Sequence, residues 1–187
     1  LKSEIQNPKS QIANPDDWPT FRHDSARHGS TASAIEPQVA LTWQTKLGGR
    51  LTAPVAASGR VYVALPDAHT VVALDAKTGE TVSKFIAGGR IDSPPTINDG
   101  LVLFGCADGS VYCLRDGDGE LVWRFLAAPI DCRIGSFDQL ESAWPVHGSV
   151  LVRDEVAYVT AGRSTYLDGG IRLYALEPKT GKVLHQA

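Results

Sequence analysis

The strongest constraint on the fold is a phrase the chain writes three times: VVALDAKTGETV at 71–82, VYCLRDGDGELV at 111–122 and LYALEPKTGKVL at 173–184. Aligned on Gly79, Gly119 and Gly181, the copies lie 40 and 62 residues apart. A chain that repeats one short unit in this way builds its core by stacking copies of a module that cannot bury its apolar face alone. A second shared phrase stands upstream of each: APVAASGRVYVAL at 53–65, PPTINDGLVLFGC at 94–106 and GSVLVRDEVAYVTA at 148–161. Each unit is therefore predicted to hold four strands, near 53–57, 60–65, 70–75 and 80–86 in the first.

From residue 39 the texture is short runs rich in Val, Leu, Tyr and Thr, broken by Gly, Asp and Pro, with no stretch of helical periodicity. The interval of 40 residues is that of a propeller blade, and the longer one is a blade plus about 22 residues. The prediction is an all-β chain, a β-propeller of four-stranded antiparallel blades. Within the shared phrase, AKTG, DGDG and PKTG are one tight turn in three spellings, with Gly where the backbone needs positive φ. In the strand before it, Ala73, Cys113 and Ala175 share one face while Leu74, Leu114 and Leu176 share the other. A small residue is expected where sheets approach closely, and a large one where a gap must be filled.

Of the 187 residues 43% are hydrophobic, enough for a sizeable core. The net charge of -3, with no basic run, gives no electrostatic reason to expect nucleic acid as a partner. No apolar stretch is long enough to span a bilayer as a helix, and no signal peptide is evident. Three cysteines, Cys106, Cys113 and Cys132, form neither a disulfide framework nor a zinc set; a Cys106–Cys132 bridge is geometrically open, and Cys113 reads as a buried structural thiol. No Ser/His/Asp or Cys/His arrangement stands at a recognisable spacing. His23 and His28, five residues apart, share no face that would make them a metal pair.

The organisation predicted is a polar, disordered leader at 1–15, an irregular arm at 16–38 anchored by Trp18 and Phe21, blades at about 51–86, 92–126 and 145–187, and an insertion at 127–144. The pattern carried by Ala73, Asp75, Thr78 and Gly79, echoed by Cys113, Gly119 and Trp123 and by Ala175, Thr180 and Gly181, is similar to the tryptophan-docking motif of pyrroloquinoline quinone (PQQ) repeat propellers. Those include quinoprotein alcohol dehydrogenases and the propeller lipoprotein of the bacterial outer-membrane assembly machinery. In the three units the docking Trp survives only as Trp123, with Ser83 and His185 in its place elsewhere. LTWQTKLGG at 41–49 resembles the outer strand of a closing blade, a strand placed at 39–47. The resemblance implies a closed ring of about eight blades, so the remaining blades are expected beyond Ala187. The chain then reads as a truncated propeller whose terminal sheets expose apolar faces.

Two functions follow from the resemblance. One is a non-catalytic platform outside the cytoplasm, binding a protein partner or a small polar ligand and holding no cofactor. The other is part of a PQQ- and Ca²⁺-dependent dehydrogenase acting on alcohols or sugars. The adjacent cysteines typical of such enzymes do not occur here. Asp116, Asp118 and Glu120 resemble part of a calcium loop, but the same slot forms without carboxylates in the other units. The most site-like residues lie in two long loops: Asp131, Arg133, Asp138 and Glu141, with Phe137 and Trp144, in the insertion, and Arg163, Tyr166 and Asp168 at 162–170. If both loops project from one end of the ring, they line a shared cleft near its axis; the other reading of them is a structural plug.

Overall fold

A computed structural model describes residue 12 and residues 14–187; most of the leader expected at 1–15 lies outside the described residues. They contain no α-helix, only a single 3₁₀ turn at Pro66–Ala68. The first sheet runs β1 (Val55–Ala57), β2 (Arg60–Leu65), β3 (Thr70–Asp75) and β4 (Thr81–Ile86). The second runs β5 (Thr96–Asn98), β6 (Leu101–Gly105), β7 (Ser110–Arg115) and β8 (Leu121–Leu126). Between it and the third sheet stands a two-stranded hairpin, β9 (Arg133–Ser136) and β10 (Gln139–Ser142). The third sheet is β11 (Leu151–Arg153), β12 (Val156–Ala161), β13 (Arg172–Leu176) and β14 (Val183–Gln186). All three four-stranded sheets are antiparallel meanders in chain order, so the chain folds as propeller blades.

The three sheets repeat a detail as fine as a bulge. The pairing of third with fourth strand slips between Ala73 and Leu74, between Cys113 and Leu114, and between Ala175 and Leu176. The slip turns the strand into the tight turn, where Gly79, Gly119 and Gly181 adopt φ of 72°, 77° and 71°; a side chain at that dihedral is strained.

Two cores fill the gaps between sheets. Ala73 of the first sheet and Leu114 of the second belong to one, and Cys113 of the second and Leu176 of the third to the other. Each core therefore draws a small residue from one sheet and a leucine from the next. In the first core Phe104 and Tyr112 stack at 5.3 Å while Phe85 presents its edge to both, a geometry worth about 1 kcal/mol per pair beyond the area buried. The middle sheet is covered on both faces, whereas β12 alternates between buried and exposed residues. Tyr158, Leu173 and Leu184 accordingly remain partly exposed on the third sheet.

All three cysteines are free thiols. Burial pushes the Cys113 thiol up to about 12, as expected of a structural position.

Residues 39–47 have no ladder partner among the described residues, but they contact the first blade as a fourth strand contacts its neighbour. The Trp43 indole donates to Ala76 O at 2.9 Å, and Thr45 Oγ1 donates to Gly79 O at 2.6 Å. Trp123 does the same one interface later, donating to Pro178 O at 2.9 Å with its ring over Gly181, where an added Cβ would come within 2.7 Å. Each tryptophan therefore seats on the turn of the next unit along the chain. Ser83 occupies the seat above Gly119 but has no indole N–H. Here the carbonyl of Asp116, the counterpart of Ala76 and Pro178, accepts instead from the Arg60 guanidinium. Arg60 also reaches Asp116 Oδ1 at 2.7 Å, and Tyr62 donates to the same oxygen. Asp118 is held by Arg115 at 2.5 Å, so both aspartates of the calcium-like turn serve arginines.

Candidate functional site

The meander fixes which loops share an end. In four antiparallel strands the second-to-third connection and the exit from the fourth leave from one end, and the two remaining turns from the other. The 66–69 turn, the 87–95 link, the 127–150 link and the 162–171 loop therefore gather at one end, here the crossover end. The insertion is a hairpin rather than an irregular loop, because Phe137 and Asp138 both take positive φ, 49° and 58°, closing a two-residue turn.

That hairpin lies over the junction of the first two blades, tied down by residues the sequence reading did not single out. Arg90, with 6% of its side chain exposed, reaches Glu141 at 3.3 Å and Asp92 at 2.8 Å. Its guanidinium also sits 4.4 Å from the centre of the Phe137 ring, a cation–π contact. His147 Nδ1 is 2.7 Å from Asp92, and His69 Nε2 is 2.7 Å from Gln139 Oε1. Burial alone would raise the Asp92 carboxyl, but the hydrogen bonds from His147 and Arg90 outweigh it and bring it down to about 2. A folded value below the unfolded one adds stability that is complete above about pH 4 and disappears as the pH falls towards 2. Asp92→Asn should therefore remove about 1 kcal/mol at neutral pH, after discounting for solvent, and should flatten the acid limb of the stability curve. Thermal melts between pH 5 and pH 2 check this, and an unchanged slope would contradict it.

The other expected residues fall into two groups. Arg133 pairs with Asp131 at 2.7 Å on the hairpin's approach, and Asp138 stands at its tip. Arg163 pairs with Asp168 at 2.6 Å within the 162–171 loop, with Tyr166 exposed beside them. The groups meet through backbone: the Trp144 indole donates to Asp168 O at 2.8 Å, and Arg163 Nε to Ala143 O at 3.3 Å. Glu141 is consumed by Arg90 beneath the hairpin. Among these charged residues the crossover end also holds out apolar side chains: Phe137, Leu140, Tyr166 and Leu167 are 79%, 68%, 94% and 56% exposed.

The opposite end is occupied. There the arm bridges to β1 through Trp18 and Ala56, and Pro19 O accepts from Ile97 N at 2.8 Å. Thr20 meets Thr96 at 2.8 Å, and Arg27 reaches Ser149 at 3.0 Å beside the third blade. The arm so lies on the first strands of the first two blades and reaches towards the third through Arg27. A cleft of about 290 Å³ lies between it and the turns after β1, β5 and β11. None of the seven residues expected to form a site lines that cleft.

The described residues do not fit a quinone–calcium centre. No three His, Cys, Asp or Glu side chains among them stand at metal-ligand spacing, and the calcium-like aspartates are engaged by arginines.

Four-stranded blades with Trp-on-turn docking define a PQQ-repeat propeller. The chain belongs to the family described as outer membrane protein assembly factor BamB, whose profile matches residues 27–187. Among its relatives, BamB of Burkholderia pseudomallei is 32% identical over 106 residues, half of this chain and 25% of the relative. BamB of Moranella endobia is 33% identical over 78 residues, 42% of this chain and 19% of the relative. The chain thus spans a quarter or less of these relatives' length. In structure it is similar to a quinohemoprotein alcohol dehydrogenase of Pseudomonas putida, with a TM-score of 0.73 at 16% identity over 92% of this chain and 26% of that one. It is also similar to BamB of Moraxella catarrhalis, with a TM-score of 0.50 at 20% identity over 78% and 51% of the two chains. At these identities the structural likenesses speak for the fold.

Proposed function

We propose that this chain is part of a non-catalytic propeller platform, outside the cytoplasm, that presents its crossover end to a protein partner in the assembly of outer-membrane proteins. The observation that carries the reading is the asymmetry of the two ends. The arm fills one, while the other holds out Phe137, Leu140, Tyr166 and Leu167 on a hairpin and a loop anchored beneath by Arg90 and Trp144. Exposed apolar side chains on a rigid base suit a protein interface, because little conformational entropy remains to be lost on docking. The BamB family description supplies the class of partner.

The test pairs Leu140→Ser with Tyr166→Ser in the full-length protein. The expected result is binding to the other outer-membrane assembly proteins weakened at least about tenfold, with the melting temperature unchanged. Unaltered affinity would refute the placement of the interface. A thermal shift of several degrees that requires PQQ and Ca²⁺ together would replace the platform with the dehydrogenase reading.

A further inference from the structure

The three blades are complete at four strands, but the hairpin of β9 and β10 is a sheet of two. Two strands alone are marginal in water, and a third is what ordinarily secures such a ribbon. On one side β10 already leans on the second blade, because Ser142 N–H donates to Ala107 O at 2.7 Å. That bond fixes the parity of the hairpin. Since Ser142 N–H points away from β9, the register Leu140↔Gly135 and Ser142↔Arg133 turns the backbone groups of all four residues outward. The two-residue turn agrees, making Ser136 and Gln139 the hydrogen-bonded pair. On the β9 side no partner stands for the N–H or C=O of Arg133 or Gly135 among the described residues, and both residues are exposed. An open row of donors and acceptors is a template for an incoming strand.

The side chains say what that strand carries. One face of the hairpin is engaged: Ile134 packs against the second core, Gln139 meets His69 and Glu141 meets Arg90. On the other face Gly135 stands opposite Leu140, whose side chain is largely exposed. Gly135 is not at positive φ, and an added Cβ would meet nothing within 4 Å. Neither turn geometry nor crowding within this chain therefore requires a glycine there. A glycine inside a strand marks a place where another backbone or a ligand comes close. We propose that β9 is a strand-addition edge for an extended segment of a partner polypeptide, which lays an aromatic side chain over Gly135 and on to Leu140. Residues directly opposite one another share a face, so the ring fills the space of the missing side chain while main-chain bonds to Arg133 and Gly135 supply the pairing. A second copy pairing β9 with β9 about Gly135 would set two glycines together and leave both hollows empty, so a different segment fits better. The inference rests on the platform reading for the end of the molecule it uses, and deepens it by stating how the partner is gripped.

Fluorescence anisotropy of the full-length protein with a short labelled peptide of alternating Thr and Val around a central Phe tests it. The Phe peptide should bind saturably, its central-Ala counterpart about tenfold more weakly, and a version N-methylated along its backbone not at all. Gly135→Pro removes the outward N–H, a loss that an edge strand tolerates, and should abolish binding of the Phe peptide with the melting temperature unchanged. Gly135→Val fills the hollow instead and should erase the preference for Phe over Ala; should the proline variant not fold, this variant decides alone. No saturable binding up to about 1 mM, equal binding of the N-methylated peptide, or parental behaviour of the variants overturns the proposal. So does sedimentation showing a dimer that Gly135→Pro dissociates, which would make a second copy the occupant. If Leu140→Ser and Tyr166→Ser weaken binding of the assembly proteins while Gly135→Pro changes neither that nor the peptide, the strand edge falls and the platform stands. Peptide binding that Gly135→Pro abolishes, with the assembly proteins indifferent to all of these variants, does the opposite.

Discussion

Trp123→Ala should destabilise the chain by about 3 kcal/mol, the low end of the range for removing a large aromatic, because the ring is only partly buried. Two losses combine. The indole bond to Pro178 O disappears, and a void opens over Gly181, whose missing Cβ leaves just enough space for the ring. Trp123→Phe keeps part of the cover and loses the N–H, so it should fall between the two. Urea unfolding of the three proteins measures this order. A loss below about 0.5 kcal/mol for the alanine variant, the size of an ordinary surface change, would show that the indole seat does not hold the second and third blades together.

Arg90→Ala should cost more, about 3–5 kcal/mol, since it leaves the buried Glu141 without its cation and Asp92 with His147 as its remaining close partner. The hairpin loses its tether and its cation–π contact together. Amide exchange across residues 133–142 should then accelerate while the strands of the first blade stay protected. Replacing both members of the pair, Arg90→Met with Glu141→Leu, should recover most of the stability, because the expense lies in the abandoned charge rather than in the missing bond. If the single and the double variants unfold alike, the pair is not what secures the hairpin.

The blades were legible because their signal is covalent and periodic. Asp-Gly and Thr-Gly turns mark where backbone must reach positive φ, and the Ala73/Leu74 alternation marks two faces. The hairpin within the insertion was missed because its turn uses Phe137 and Asp138 rather than Asn-Gly or Asp-Gly, and its strands are only four residues each. Trp43 as a docking residue was legible in principle: the TW of LTWQT aligns with the VW of LVWRF, although no ladder marks it as a fourth strand. The network around Arg90 was not. Arg90 and Asp92 come from one connection and Glu141 and His147 from another, and only the meander's geometry delivers them to one place. His23 could be seen in the sequence, but not the lack of hydrogen-bond partners for its buried ring among the described residues, which depends on how the arm lies against the blades.

The seating of each tryptophan on the following unit also sets an order in time. During translation Trp43 leaves the ribosome before the turn around Gly79 exists, and Trp123 before Gly181. Each of these two strands therefore waits with an uncovered indole until the turn that seats it emerges, so docking at both interfaces runs from the amino end towards the carboxyl end.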